Sequence, residues 1–387
     1  MHTSGYAAHR LEEALTLAAD RLGLEGQFFS TPTSIMASFG PQDDQRTFMI
    51  RVEPAESDLG RLAGVDEIAR DVLNGRISPV EGSARIGTIE AAAPRYGALL
   101  RMLAFGIVSG GAARFLGGGW REIVVSAGIG LVIGALALAS GRHPAFSGVF
   151  EPVAAFAASL LASAAASAGF PVSVFLATLS GVIVLIPGLM LTTAMTELST
   201  RHLASGTARF MGALVLLLGI AFGIALGAKT AELLLGIPHA SAVITLPGWT
   251  LLLSILVSPL GFAVLLKAEP RDVPWIVSAG IVAFAGARGG SNALGPELGA
   301  FVGGLMTGVG ANWYARITNR PAQIALVPGL LLLVPGSVGL QSLASLLDRD
   351  VQVGVETAFR MVLIAVSLVA GILIANVVSP RRSLTSK

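Results

Sequence analysis

The sequence predicts a mainly α-helical, polytopic membrane protein, with about ten transmembrane helices in two inverted five-helix repeats behind a small α+β cytoplasmic domain. Three observations carry this expectation. The 387 residues are 53% hydrophobic and 13% charged, with a mean hydropathy of +0.74, a composition suited to lipid rather than water. The charge is divided: residues 1–97 hold nine Arg and no Lys against fourteen Asp and Glu, net −5, whereas residues 98–387 hold seventeen basic against ten acidic side chains, net +7. Finally, one stretch recurs. GVIVLIPGLMLTTAMTELSTRHLASGTARFMGALVLLLGIAFGI, from Gly181, is answered 148 residues later by GLLLLVPGSVGLQSLASLLDRDVQVGVETAFRMVLIAVSLVAGI, from Gly329.

Identities across the two copies include Gly181, Pro187, Gly188, Leu198, Arg201, Gly206, Gly223 and Ile224, which recur as Gly329, Pro335, Gly336, Leu346, Arg349, Gly354, Gly371 and Ile372. Each copy is an apolar run that stops at Pro-Gly, then a polar, amphipathic stretch ending in Gly, then a second apolar run. Proline removes a backbone donor and clashes with the preceding turn, and glycine weakens the helix further. In lipid, freed backbone groups are tolerated only where protein or a water-filled cavity covers them. Two breaks at matching places in two halves point towards a transporter-like site, although a plain helix-ending loop also accounts for either copy alone.

Taken in order, residues 6–24 space their apolar side chains along one helical face. QFFSTPTSIMASFG and RTFMIRV read as two strands joined by the turn-prone GPQDDQ. Residues 58–73 and 78–93 read as helices, the second opened by a Ser78 cap, Pro79 and Glu81. Residues 1–97 thus form the soluble α+β domain. From residue 98 the spans fall at roughly 98–116, 122–140, 150–168, 170–188 and 208–227, then 247–266, 274–290, 295–313, 322–340 and 357–378. The halves are residues 98–230 and 231–387. Trp120, Trp275 and Trp313 lie at span ends, where amphipathic rings favour the interface.

The domain has no basic-then-apolar signal peptide, so it is expected to stay on the side where it is made. With it inside, eleven of the later Lys and Arg fall on inner segments and six on outer ones, which supports cytoplasmic termini. Five spans per half is an odd number, so the second half enters inverted. The absence of Cys excludes disulfides and thiolate chemistry. The five His are scattered without metal-ligand spacing, so no metal or cofactor is expected. A pI near 9.3 reflects membrane topology, not nucleic-acid binding.

TPTSIMAS, TFMIRV, DLGRLAGVDEIARDVLNG, GGGWREIVVSAGIGLVIG and IPGLMLTTAMTELSTRHLASGTARF, followed by RDVPWIVSAG, NRPAQIALVPGLLLLVPGS and GILIAN, together resemble the threonine/serine exporter family over nearly the whole chain, with both halves fused. No single piece is specific; their order and spacing are. The resemblance implies efflux of small hydroxy amino acids driven by protons across a bacterial cytoplasmic (inner) membrane. Relatives with split halves are linked to export of dicarboxylates such as succinate. Thr193 and Glu197 stand where Asn and Asp are common in that family.

Pro187, Gly188, Thr192, Thr193, Pro335, Gly336 and Ser337 are the candidate substrate-binding residues, since broken-helix backbone and adjacent hydroxyls suit a zwitterion. Glu297 comes first and Glu197 second for proton coupling or gating, because a carboxylate at membrane depth requires a proton or a partner. Arg288 is the expected partner of Glu297, with Asn292 nearby. Arg201, four residues after Glu197, is its expected partner. An interfacial ion pair is the plainer reading of each. Glycine pairs such as Gly130 with Gly134 suit close helix packing. A hydrolytic triad of His9, Ser30 and Asp58 would make the N-terminal domain catalytic, but no nucleophile elbow supports it. The expected partners are a small amino acid, protons and the lipid bilayer, with homo-oligomerisation left open and no catalytic residue expected.

Overall fold

The computed structural model describes residues 8–380, apart from residue 42 and residues 53–56, 237–242, 334–335 and 348. The N-terminal region runs α1 (Ala8–Arg21), β1 (Gly26–Thr31), β2 (Ser34–Phe39), β3 (Arg46–Arg51), α2 (Leu59–Leu73) and α3 (Pro79–Ala91). Its strands form an antiparallel sheet in the order β1-β2-β3. The sequence reading expected two strands; a turn at Pro32-Thr33 splits the first into a hairpin, Thr31 pairing with Ser34. Proline fixes a turn-compatible φ and cannot continue the ladder, so the chain reverses there. Asp58 and Ser78 cap α2 and α3, accepting from the backbone N–H of Arg61 (2.9 Å) and Glu81 (3.2 Å).

The remainder is α4 (Ala98–Phe115), α5 (Trp120–Ser140), the single turn α6 (Pro144–Ser147), α7 (Phe150–Ser167), α8 (Val174–Gly181), α9 (Gly188–Ser199) and α10 (Leu203–Leu235), then α11 (Trp249–Leu265), α12 (Val273–Leu294), α13 (Pro296–Thr318), α14 (Gln323–Leu331), α15 (Gly336–Leu347) and α16 (Val351–Val378). Among the described residues, six helical stretches are long and apolar enough to cross a membrane, and a seventh, Gln323–Leu347, reaches that length and hydropathy across a break between two helices, so the chain is a multi-pass membrane protein. Several boundaries differ from expectation. The 208–227 span extends to α10 and the 357–378 span to α16, because polar first turns continue the helix beyond the apolar stretch that hydropathy detects.

The expected spans 170–188 and 322–340 are not continuous helices. The first stops at Gly181, six residues before Pro187, and restarts at Gly188; the second stops at Leu331 and restarts at Gly336. The polar stretch after each break is also not one element, since α9 and α15 end before a turn that leads into α10 and α16.

Glycine contacts fix helix directions, because missing Cβ atoms mark where backbones approach closely. Gly219 and Gly223 of α10 abut Pro152 of α7, and Gly227 abuts Phe156 and Ser159. The contacts rise together along both helices, so α7 and α10 are parallel. Gly304 of α13 meets Leu368 of α16 and Gly308 meets Ile372 and Ala375, so this pair is parallel too. In each half the broken helix therefore carries the chain back from one end of the bundle to the other. By contrast, α4 and α11 are antiparallel: Gly261 abuts Ala104 and Val108, Gly111 abuts Ser258, and Arg114 Nε donates to Thr250 Oγ1 (2.7 Å).

The N-terminal region sits at one end of this bundle. Leu59 and Leu62 are buried in the core of the second-half helices, and the Leu59 N–H donates to the Leu266 carbonyl (2.9 Å). Tyr96 donates to the Ala268 carbonyl (2.7 Å). A second core joins α5, α7, α8 and α10 with Leu340 of α15.

Candidate functional site

At the first break, the last carbonyls of α8 are capped by serine hydroxyls on neighbouring helices. Ser109 donates to Gly181 O (3.0 Å) and Ser126 to Ala177 O (3.3 Å). These groups are satisfied from within the protein, as membrane depth demands. The chain then turns, with Leu185 N–H to Val182 O at 2.8 Å, and the second break repeats the turn with Leu333 N–H to Leu330 O at 2.8 Å. The two restarts meet. A Cβ on Gly336 would lie 2.4 Å from Ile186 Cγ2 and 3.3 Å from Gly188 Cα, so any side chain there drives the breaks apart. Two helix N-termini, with their positive dipole ends, therefore converge between the halves.

Beside this contact lies a cavity of about 360 Å³, within the range of small-molecule pockets. It reaches from Ile183 and Leu331–Leu333 at the breaks to Phe115, Leu116, Arg288 and Pro296, at the end away from the N-terminal region. Its walls are mostly apolar, with Val108, Phe262 and Phe284 among them, and its polar side chains are Ser258, Ser291, Ser337 and Arg288. Arg288 is the ionisable member of this lining. Ser258 precedes Pro259, a proline inside α11. Its hydroxyl is buried and has no hydrogen-bond partner among the described residues.

Of the expected substrate-binding residues, Ser337 lines the cavity and Gly188 and Gly336 form the contact beside it. Pro187 is the N-cap of α9. Thr192 is buried and its hydroxyl donates to the Gly188 carbonyl at 3.1 Å, which occupies its proton. Thr193 is half-buried on α9 and does not line the cavity. Pro335 lies outside the described residues.

The expected ion pairs are re-partnered. Glu297 bonds Arg360 of α16 at 3.0 Å rather than Arg288, because the parallel packing of α13 on α16 sets the first turn of α13 beside Arg360, the tenth residue of α16. Glu197 is fully buried and takes Arg209 Nε at 3.0 and 3.1 Å, Ser205 Oγ at 2.8 Å and the Ala8 N–H at 2.8 Å. Arg201 is exposed in the turn after α9 with φ 66°, so the chain has left the helix before the four-residue spacing can act. Asn292 is exposed near the end of α12 and lies outside the cavity lining.

Two buried carboxylates were not singled out by sequence. Glu122 accepts from the N–H of Gly119 (2.9 Å) and of Ser173 (3.0 Å), joining the starts of α5 and α8. Asp272 takes the Tyr314 hydroxyl (2.8 Å) and Arg320 (2.5 Å), joining the start of α12 to the loop before α14. Glu269 completes that cluster. Burial alone would raise its pKa, but hydrogen bonds and charge from Arg271 and Arg320 outweigh burial and hold the carboxyl below the usual range. An acidic residue at the first turn of a span was the available signal for both buried groups. Ser258 was legible only as a polar residue beside a mid-span proline. Among the described residues no His, Asp and Glu cluster suits a metal ion.

Comparison with known proteins agrees with this architecture. Residues 1–231 match the family described as putative threonine/serine exporter, and residues 251–378 match the family described as threonine/serine exporter, ThrE. The chain is 28% identical over 348 residues to pheromone-regulated membrane protein 10 of Eremothecium gossypii, covering 87% of this chain and 47% of that protein. It is 29% identical over 374 residues to the protein of the same name in Debaryomyces hansenii, covering 92% and 36%. The chain thus spans less than half the length of these fungal relatives. No solved structure matches it.

Proposed function

Because this chain belongs to the threonine/serine exporter family, we propose that it is a secondary transporter that exports small amino acids such as threonine and serine by proton antiport. One observation carries the reading: the two helix breaks touch through Gly336 and Gly188 beside a cavity, the arrangement expected where discontinuous helices form a midplane substrate site. The chain crosses the membrane ten times in this reading, as inverted halves 98–230 and 231–387 behind the domain 1–97. The seven long stretches are joined by three segments that fail simple length or hydropathy measures: α8 with α9 is broken, α11 has 17 residues, and α13 is glycine-rich and carries Glu297 and Arg316. The parallel pairs α7/α10 and α13/α16 support one crossing per broken helix. The antiparallel α4/α11 pair supports inversion.

In this mechanism the cavity end away from the N-terminal region admits solute. The opposite end is closed by the Asp272, Glu269, Arg320 and Tyr314 cluster, and exporting a solute requires that end to open in turn. Proton coupling is assigned to Glu297, whose ion pair with Arg360 is lost on protonation, with Glu197 as the second candidate. The Lys and Arg asymmetry supports cytoplasmic termini. The bacterial cytoplasmic membrane belongs to the proposal, although the relatives named above are fungal. Counterflow of labelled threonine and serine into proteoliposomes tests the function. Saturable counterflow that a pH gradient drives uphill is expected, with Glu297→Gln keeping exchange but losing the uphill component. A wild-type protein that exchanges neither solute overturns it.

Export of small dicarboxylates is the second reading, favoured by Arg288 in a cavity whose described lining holds no carboxylate; succinate counterflow distinguishes it. The hydrolase reading has no such support, since Asp58 serves as the cap of α2.

A further inference from the structure

The cavity has an unusual charge inventory. Arg288 lines it and makes no ion pair among the described residues, whereas Arg209, Arg320 and Arg360 each hold a carboxylate. Glu297, at the start of α13, is engaged by Arg360. Arg288 is an exposed residue at the far end of a largely apolar cavity, and its planar fork matches a carboxylate through two parallel hydrogen bonds. Pro296 and Ala300 of the same wall belong to the first turns of α13, whose positive dipole end adds to the preference for negative charge.

A second observation is independent of Arg288. Ser258, a residue of the cavity wall, is 1% exposed, and its hydroxyl has no hydrogen-bond partner among the described residues. A buried hydroxyl ordinarily finds one. Room for it is made by Gly111 on α4, where a Cβ would lie 2.0 Å from Ser258 Oγ. A side chain at position 111 would force that hydroxyl to move.

We propose that this cavity is a carboxylate site in which Arg288 binds the carboxylate of a small organic acid and Ser258 hydrogen-bonds the same ligand. The proposal rests on the transporter reading and sharpens its substrate class. The described lining offers no acidic side chain to an ammonium, so the carboxylate is the required group and the amine is dispensable. Threonine, a hydroxy acid of the same size and a short dicarboxylate all satisfy the rule; an amino alcohol does not.

The test uses the full chain, purified in mild detergent for calorimetric binding and reconstituted for counterflow. The probes are threonine, 3-hydroxybutyrate (carboxylate without amine) and 1-amino-2-propanol (amine without carboxylate). Threonine and 3-hydroxybutyrate should bind and compete, and 1-amino-2-propanol should do neither. Arg288→Gln should weaken carboxylate binding by about ten-fold or more, the scale of a lost charge-assisted pair, with partial recovery in Arg288→Lys. Ser258→Ala, which removes one oxygen from a buried wall, should weaken binding several-fold while the protein stays monodisperse. Competition by the amino alcohol, or unchanged affinity in both Arg288→Gln and Ser258→Ala, overturns the proposal even if wild-type counterflow is intact. Arg288-dependent binding without counterflow would uphold the site and remove the transport reading instead.

Discussion

Replacing Arg209 by Met tests the ion-pair geometry most directly. Glu197 is fully buried, and each carboxylate oxygen takes one contact from Arg209 Nε, at 3.1 and 3.0 Å. Met keeps the length of the aliphatic stem and removes the charge. Among the described residues, the carboxylate then retains the Ala8 N–H and the Ser205 hydroxyl. Breaking a buried pair from one side costs about 3–5 kcal/mol, because the remaining charge is uncompensated. Glu197→Gln leaves the opposite orphan, but the Arg209 side chain is 15% exposed and can turn towards water, so about 1–3 kcal/mol is expected. The double variant should lose less than the sum of the two, by a coupling of about 0.5–3 kcal/mol. Arg201→Met touches an exposed turn and should stay within about 0.5 kcal/mol. Equilibrium unfolding in mixed micelles, followed by tryptophan fluorescence, measures all four. Equal losses for Arg201→Met and Arg209→Met would refute the assignment.

Three further outcomes follow from the structure. Gly336→Leu should abolish counterflow while the protein remains folded in the membrane, because its Cβ alone would lie 2.4 Å from Ile186 Cγ2; unchanged transport counts against the site. Glu269 has a folded pKa below its unfolded value, so its contribution is present above the unfolded pKa and fades as pH falls through the folded one. Wild type should therefore exceed Glu269→Gln in stability near neutral pH and converge with it in acid, and a gap that widens in acid reverses the sign. Because the chain has no native Cys, Val80→Cys in α3 and Thr245→Cys before α11 should label from opposite sides of intact cells, the former from inside. Labelling of both from one side removes the inverted arrangement.

The repeat was legible because its identities fall where sterics admit few residues. Gly223 and Gly371 each lie where a Cβ would sit 2.2–2.3 Å from a carbonyl oxygen of the parallel helix, that of Pro152 or of Phe301. Gly206 and Gly354 each abut the leucine before the preceding turn, Leu198 or Leu346. Between them Arg201 and Arg349 share the left-handed conformation, with φ 66° and 64°, and close the same turn onto those leucines at 3.1 Å. Local pattern thus exposes backbone constraints. It does not expose partners, which depend on elements far apart in the chain: the break begins six residues before the proline that announces it, and Ser258 belongs to the cavity wall while its hydroxyl lies against Gly111 of α4.

The same comparison locates an asymmetry. Glu197 corresponds to Ser345 and Arg209 to Thr357, so the buried pair of the first half has no charged counterpart in the second. Backbone geometry does not require the charge, since His202 N–H to Glu197 O and Asp350 N–H to Ser345 O are both 2.9 Å. What differs is the neighbour. The first copy meets α1, through Ala8 N–H on Glu197 and Glu12 on His202 at 3.4 Å. The departure from the repeat therefore marks where the N-terminal region is tied to a broken helix, and it places that region in contact with an element that borders the contact between the two halves.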